Sequence, residues 1–276
     1  MTAEQYHADP CPAPSLSSST IKRLINGSPF HAWFEHPRLN PDFTVEDQAE
    51  HFAIGDIAHQ ILLGGASNVQ VLDFQDWRTK AAKEARTEAQ LAGQIPLLTH
   101  VWADVEAMVA STRAQLDAHE DGRAMFRDGR SEQVIVWAES DTWCRAMLDY
   151  QRPGAIDDYK TTGKTANPEE LARAARDYGW DIQAAWYRRG VKALTGFDVD
   201  FRFAVQETFA PYLLSVVASA PSRVWLAESQ VEYALDRWRR CLARGEWPAY
   251  SRKTAYLTLP KWEEQQWIER QERDGV

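Results

Sequence analysis

Between residues 131 and 162 the chain abandons the three- and four-residue apolar spacing that marks most of its length. The stretch SEQVIVWAESDTWCRAMLDY holds two β-rich runs around Glu139-Ser140-Asp141, and Gly154 to Lys160 supplies a third short strand. A strand meander set among helices restricts the chain to a mixed α/β architecture. Helical spacing resumes from Pro168 to about Leu194, after which FDVDFRFAVQET and PYLLSVVASA predict two more strands separated by Phe209-Ala210-Pro211. Residues 221–244 return to helical register through Val224, Leu226, Val231, Leu235, Trp238 and Leu242, and a Trp-Pro turn at 247–248 leads to a short tail helix.

Upstream of the meander the pattern is helical. Ser17, Ser18 and Ser19 offer N-caps for a helix through Ile21, Leu24 and Ile25, which Asn26, Gly27 and Pro29 stop, leaving Phe30, Trp33 and Phe34 as the next apolar face. A mostly buried helix is expected from Glu50 to Leu63, through Phe52, Ile54, Ile57, Ala58, Ile61 and Leu62, ended by Gly64 and Gly65. Two amphipathic helices are expected over 77–91 and 96–119. The expected organisation is a flexible, Pro-rich lead-in over 1–15 and a single domain over 16–276, with a helical insertion at about 77–120.

Of 276 residues, 44% are hydrophobic and 26% charged, enough apolar surface for a sizeable core. No window approaches the roughly 18 apolar residues of a membrane helix, and MTAEQYHADPCPAPS lacks the basic and apolar regions of a leader. Cys11, Cys144 and Cys241 form no CxxC pair, so neither a disulfide framework nor a zinc knuckle is indicated, and a cytoplasmic location is expected. The net charge of −9 is compatible with a nucleic-acid enzyme whose basic residues are gathered in one groove.

Chemistry concentrates at Asp149, Asp158 and Lys160. In a strand Asp158 and Lys160 point the same way, and the Pro153-Gly154 turn brings Asp149 back beside them. Two converging carboxylates suit Mg²⁺ or Mn²⁺, and a divalent ion with a neighbouring lysine suits phosphodiester hydrolysis, the lysine orienting or deprotonating the attacking water. A chance D-x-K triplet with a solvated turn aspartate is the competing reading of the spacing alone. Asp157 faces the other side of its strand and reads as structural.

Four stretches together resemble the PD-(D/E)XK nucleases, specifically the RecE-type (exonuclease eight) phage and prophage exonucleases. FAIGDIAHQILL resembles the G-x-x-x-H helix, with Gly55 and a metal-ligand His59. CRAMLDY resembles the second motif with its metal-binding Asp149, DDYKTT the D-x-K-T-T strand with Asp158 and the catalytic Lys160, and WDIQAAWY the Q-x-x-x-Y helix with Gln183 and Tyr187. GEWPAYS and LTLPKW resemble the closing segment, so the similarity spans roughly 16–265. Where relatives carry a basic residue two positions before the second-motif aspartate, this chain has Met147, and the nearest basic residue is Arg145.

The resemblance implies a restriction-endonuclease-like core, a mixed sheet flanked by helices with helical N-terminal additions. It further implies a Mg²⁺ site (Mn²⁺ substituting) made by His59, Asp149, Asp158 and the main-chain carbonyl of Tyr159. The implied activity is 5′-to-3′ exonucleolysis of linear double-stranded DNA leaving 3′ tails, by a ring-shaped homo-oligomer that hands its product to a RecT-like single-strand annealing protein. Alternatives are a RecB- or CRISPR-type nuclease of other polarity, an endonuclease, a catalytically silent DNA-binding protein, and a metal-dependent phosphatase acting on small molecules.

Several residues carry two readings from the sequence. On its apolar helix His59 alone reads as a core histidine. Glu132 is either a ligand to a second ion or a strand-end surface carboxylate. Gln183 and Tyr187 either contact a phosphate and steady Lys160 or pack against the sheet edge. The run Arg188-Arg189-Lys192, with Lys164, Arg173 and Arg176, either tracks a DNA backbone or is a solvated face. Trp33, Trp180 and Trp186 either stack on bases or belong to the core.

Overall fold

The computed structural model describes residues 1–44, 54–64 and 68–275. Along the chain these form α1 (Ala3–His7), α2 (Ser18–Asn26), α3 (Pro29–Phe34), α4 (Ile54–Leu62), β1 (Val69–Leu72), α5 (Lys80–Leu91), β2 (Ile95–Leu98) and α6 (Thr99–Ala118). There follow β3 (Arg130–Glu139), β4 (Thr142–Arg152), β5 (Ala155–Thr162), α7 (Pro168–Tyr178), α8 (Trp180–Thr195), β6 (Asp200–Glu207), β7 (Leu214–Val217), α9 (Pro221–Arg244) and α10 (Lys261–Asp274). The predicted start at Glu50, with Phe52, and the stop at Gly65 lie outside the described residues.

The five-stranded sheet runs β3-β4-β5-β6-β7, antiparallel except for the β5–β6 pair, whose parallel crossover is made by α7 and α8. Its two faces carry two cores. On one, Ile135, Trp137, Leu148, Ile156, Phe203 and Val205 pack with α2, α8 and α9 through Ile21, Leu24, Trp186, Leu235 and Trp238. On the other, Tyr159 and Ala204 pack with α4 and α6 through Ile57, Ala58, Met108 and Leu116. This mixed sheet flanked by helices is the expected fold class. No helix among the described residues is long and apolar enough to cross a membrane.

The β4–β5 ladder is short. It joins Tyr150 to Asp157, Gln151 to Ile156 and Arg152 to Ala155, and the next pair in register, Asp149 with Asp158, is not formed. Beyond that point the edge of β4 is taken by Leu16, whose N–H donates to the Trp143 carbonyl (2.8 Å) and whose carbonyl accepts from the Arg145 N–H (2.9 Å). β4 and β5 therefore splay apart, with the chain's N-terminal segment wedged on the open edge.

That segment corrects the expectation of a flexible lead-in over 1–15. Tyr6, Asp9, Cys11 and Ser15 are buried. Asp9 accepts from the Ser15 N–H (2.8 Å) and hydroxyl (2.7 Å) and pairs with Arg145 (3.1 Å), while His36 lies 3.4 Å from its second oxygen. Arg145 also donates to the Ser15 carbonyl (3.0 Å) and stacks over the Tyr6 ring. A polar residue at the hub of a buried ion pair leaves no apolar periodicity, so composition alone misreads the segment as loose.

A second correction concerns the helix expected over 96–119. It begins at Thr99, because Ile95–Leu98 form β2, parallel to β1 in a separate two-stranded sheet. Pro96, without an N–H, is tolerated on such an edge pair, and its neighbours Ile95, Leu97 and Leu98 are buried. In α9 the expected apolar face holds at Val231, Leu235 and Trp238, but Leu226 is exposed.

Removing one partner of a buried ion pair strands the other charge in a low-dielectric interior, which costs about 3–5 kcal/mol. Arg145→Ala should lower the unfolding free energy in urea by about that amount. A loss under about 1 kcal/mol would show that the Asp9 pair does not anchor the segment.

Candidate active site

The splay between β4 and β5 exposes backbone that would otherwise be paired, and side chains fill the gap. The Tyr159 N–H, without a β4 carbonyl opposite, donates to Asp149 Oδ2 at 3.0 Å. Because the N–H and C=O of one strand residue point to the same edge, the Tyr159 carbonyl faces the same gap. From the α4 side His59 Nε2 approaches Asp149 Oδ2 at 3.1 Å. From the α8 side the Gln183 amide donates to Asp158 Oδ2 at 2.7 Å, and Lys160 Nζ lies 2.6 Å from Asp158 Oδ1. Asp149, Asp158, Lys160, His59, Tyr159 and Gln183 are thus one cluster.

Gly55 sets how closely α4 can approach. A Cβ there would fall on the Thr161 hydroxyl and within 2.9 Å of the Thr161 Cβ, so only glycine lets this helix lie on β5 with His59, one turn on, reaching Asp149. The G-x-x-x-H spacing is in this sense a packing requirement. Tyr187, one turn beyond Gln183 on α8, is buried, with the Ser18 side chain at the start of α2 near its hydroxyl.

Charge is unevenly settled. Asp158 is fully buried; burial, and then repulsion from Asp149, push its carboxyl up to about 7, with Lys160 only partly offsetting them. Its Oδ1 touches the lysine but forms no well-directed hydrogen bond. Burial also acts on Asp149, but the hydrogen bond from His59 and the charge of Lys160 outweigh it and hold that carboxyl low. His59 is shifted the other way: burial opposes its charged form, yet Asp149 holds the imidazolium and raises its value. Burial similarly opposes the Lys160 ammonium, and Asp158 and Asp149 override it, raising its value.

Among the described residues no three His, Cys, Asp or Glu side chains form a closed cage. Mg²⁺ does not require one, since it keeps several waters and binds through one or two carboxylates plus substrate phosphate oxygens. The donors at the gap fit such an ion: two carboxylates, one with a buried oxygen lacking a directed partner, a free-edge carbonyl and an imidazole.

Other predicted residues lie differently. Glu132 stands opposite Asp149 in register, between the pairs Ser131–Tyr150 and Gln133–Leu148, but takes a left-handed φ of 48°, is exposed, and makes no ion pair among the described residues. Arg189 is bound to Glu139 and Glu232, Lys192 to Asp198, and Arg188 to the Val199 carbonyl, so this basic run is engaged within the fold. Trp180 stacks on Phe203, and Trp186 is fully buried against Trp137 with its indole N–H on the Arg145 carbonyl, so both belong to the core. Asp157, as expected, faces away and is held by Arg152 (2.8 Å) and the Phe126 N–H (3.1 Å). Arg145 is spent on Asp9.

The family model described as a PDDEXK-like domain of unknown function (DUF3799) matches residues 15–260. The chain belongs to this PDDEXK-like family. Its fold is also that of a crystal structure from Eubacterium rectale named "Putative exonuclease", with a TM-score of 0.61 at 17% sequence identity, over 94% of this chain and 95% of that one. No curated protein matches the chain. In this PDDEXK-like domain the sequence motifs marked the carboxylates, the lysine and the glutamine, but not Lys22 on α2, whose stem lies beside Gly179 and whose ammonium is near enough to feel the charges of Lys160 and Asp158. A lysine in an amphipathic helix carries no sequence signal that separates it from a solvated one.

Gly55→Ala should push α4 off β5, lowering stability by about 1–3 kcal/mol, the usual cost of overpacking. Adding Thr161→Ala, which removes the hydroxyl and methyl in the way, should recover part of the loss in a denaturation experiment. Equal stability of the single and double variants would show that the contact does not set the helix position.

Proposed function

We propose that this protein is a metal-dependent nuclease that hydrolyses phosphodiester bonds of linear double-stranded DNA from its ends. The observation that carries the reading is the Lys160–Asp158 contact set beside the His59–Asp149 pair where β4 and β5 part. His59, Asp149, Asp158 and the Tyr159 carbonyl would hold Mg²⁺, or Mn²⁺ in its place, with Glu132, exposed and opposite Asp149 in register, a ligand for a second ion. When bound, the ion supplies Lewis acidity at the phosphate and lowers the pKa of a coordinated water.

The protein's own groups do the rest. Lys160, whose ammonium the two carboxylates favour in the empty site, would orient or deprotonate the attacking water and offset charge building on the phosphate. Gln183 fixes the Asp158 carboxylate through its amide, and the buried Tyr187 packs the helix that carries Gln183. The name "Putative exonuclease" of the similar crystal structure supports end-dependent cleavage, and the resemblance to RecE-type enzymes implies 5′-to-3′ polarity, 3′ tails and a RecT-like annealing partner in the cytoplasm. A ring-shaped homo-oligomer, with positive charge lining its channel, would reconcile a net charge of −9 with a polyanionic substrate.

The test is digestion of linear duplex DNA labelled at the 5′ or 3′ end, with Mg²⁺ and with EDTA, beside a covalently closed circle. Metal-dependent loss of the linear substrate only, with 5′ label released first, is the expected result. Asp149→Ala, Asp158→Ala and Lys160→Ala should each lower the rate by at least about 10³-fold while keeping the wild-type circular dichroism spectrum. Cutting of the circle would instead indicate an endonuclease, and an active Asp158→Ala protein would remove the proposed site.

A further inference from the structure

α2 lies against α8 and its N-cap Gly179, the two running in opposite directions. Ser18 meets Tyr187 at one end; at the other, Lys22 runs along Gly179, where an added Cβ would lie 3.2 Å from its Cγ, Cδ and Cε. Gly179 is one turn before Gln183, the residue that holds Asp158. The absence of a side chain at Gly179 therefore leaves a track along which the lysine stem reaches the cluster.

The end of that stem is unusual. Lys22 is half-buried, yet its ammonium has no carboxylate within ion-pair distance and no hydrogen bond among the described residues, and Asp158 is already taken by Lys160 and Gln183. Burial, and then repulsion from Lys160, lower its value to about 8. A desolvated cation beside a second cation weakens the empty fold, and an arriving anion relieves it.

Building on the nuclease reading above, we propose that Lys22 is a substrate-contacting residue whose ammonium binds the non-bridging oxygens of the DNA phosphate seated beside Lys160. The two ammoniums, one on β5 and one on α2, grip the phosphate from different elements, with Lys160 serving the reaction and Lys22 the seating of the strand.

The assignment is tested with Lys22→Met, which keeps the packed stem, and Lys22→Arg, which keeps the charge. In EDTA, without DNA, Lys22→Met should melt at or above the wild-type temperature, whereas a structural lysine would lower it. Its affinity for fluorescent duplex DNA in EDTA should fall, with the salt slope reduced by about 0.9, the value of one phosphate contact. With Mg²⁺ its kcat/KM should fall about 10- to 100-fold, mainly through KM, as expected for one charged hydrogen bond, and Lys22→Arg should restore most of it. Inorganic phosphate should raise the melting temperature of the wild type more than that of Lys22→Met. Normal cleavage with unchanged affinity, slope and phosphate response in Lys22→Met would overturn the assignment and leave the nuclease reading standing. A wild type that cleaves no DNA but keeps the Lys22-dependent phosphate response would overturn the nuclease reading and leave the anion site.

Discussion

The parting of β4 and β5 after Tyr150–Asp157 is the constraint on which the rest of the structure turns. A fully paired hairpin would satisfy the Tyr159 N–H with a β4 carbonyl and close the space that Asp149 occupies. Opening the ladder leaves backbone groups without partners, a cost in a buried place. It is met on one strand by the Asp149 carboxylate and on the other by Leu16, which completes the edge of β4. The candidate chemistry and the placement of the N-terminal segment are thus two answers to one hydrogen-bonding problem.

The electrostatics follow from the same opening. Two carboxylates placed where a ladder pair would have been repel each other, and their surroundings resolve the repulsion unequally. Asp149 faces His59 and a backbone N–H, and its charge is retained; Asp158, deeper, has only Lys160 and one amide and is driven toward its neutral form. A dication held by both carboxylates, as proposed, would relieve this repulsion. The ammonium of Lys22, unpaired among the described residues, would have the complementary character toward the proposed phosphate.

Much of this was legible in the sequence because the signals were periodic or local. Alternation marked β3 and β4, the two-residue step placed Lys160 with Asp158, and the one-turn step placed Gln183 with Tyr187. What was not legible depends on contacts between distant segments. The anchoring of residues 1–15 through the buried Tyr6, Asp9, Cys11 and Ser15 rests on Asp9 meeting Arg145, across the chain from it, and no hydrophobic pattern registers such a pair. Ile95–Leu98 run into the helix that follows without a break, and only their pairing with Val69–Leu72 makes them a strand. Gly55 was visible as a motif position, but its physical meaning lies in Thr161, and Lys22 is distinguished from other helical lysines only by the glycine it crosses.

The wedge at Leu16 also bears on how the molecule matures. The site draws His59 from one stretch, Asp149, Asp158 and Lys160 from another, and Gln183 from a third, while the segment that keeps the strands apart comes from the beginning of the chain. Contacts of such long sequence separation form late in folding, because loop closure must be offset before they contribute. A nascent chain that has not yet released α8 from the ribosome holds the two carboxylates without the glutamine that fixes one of them. The candidate site is thereby completed only after α8 (Trp180–Thr195) has emerged, and on the nuclease reading a product truncated before α8 would be inert.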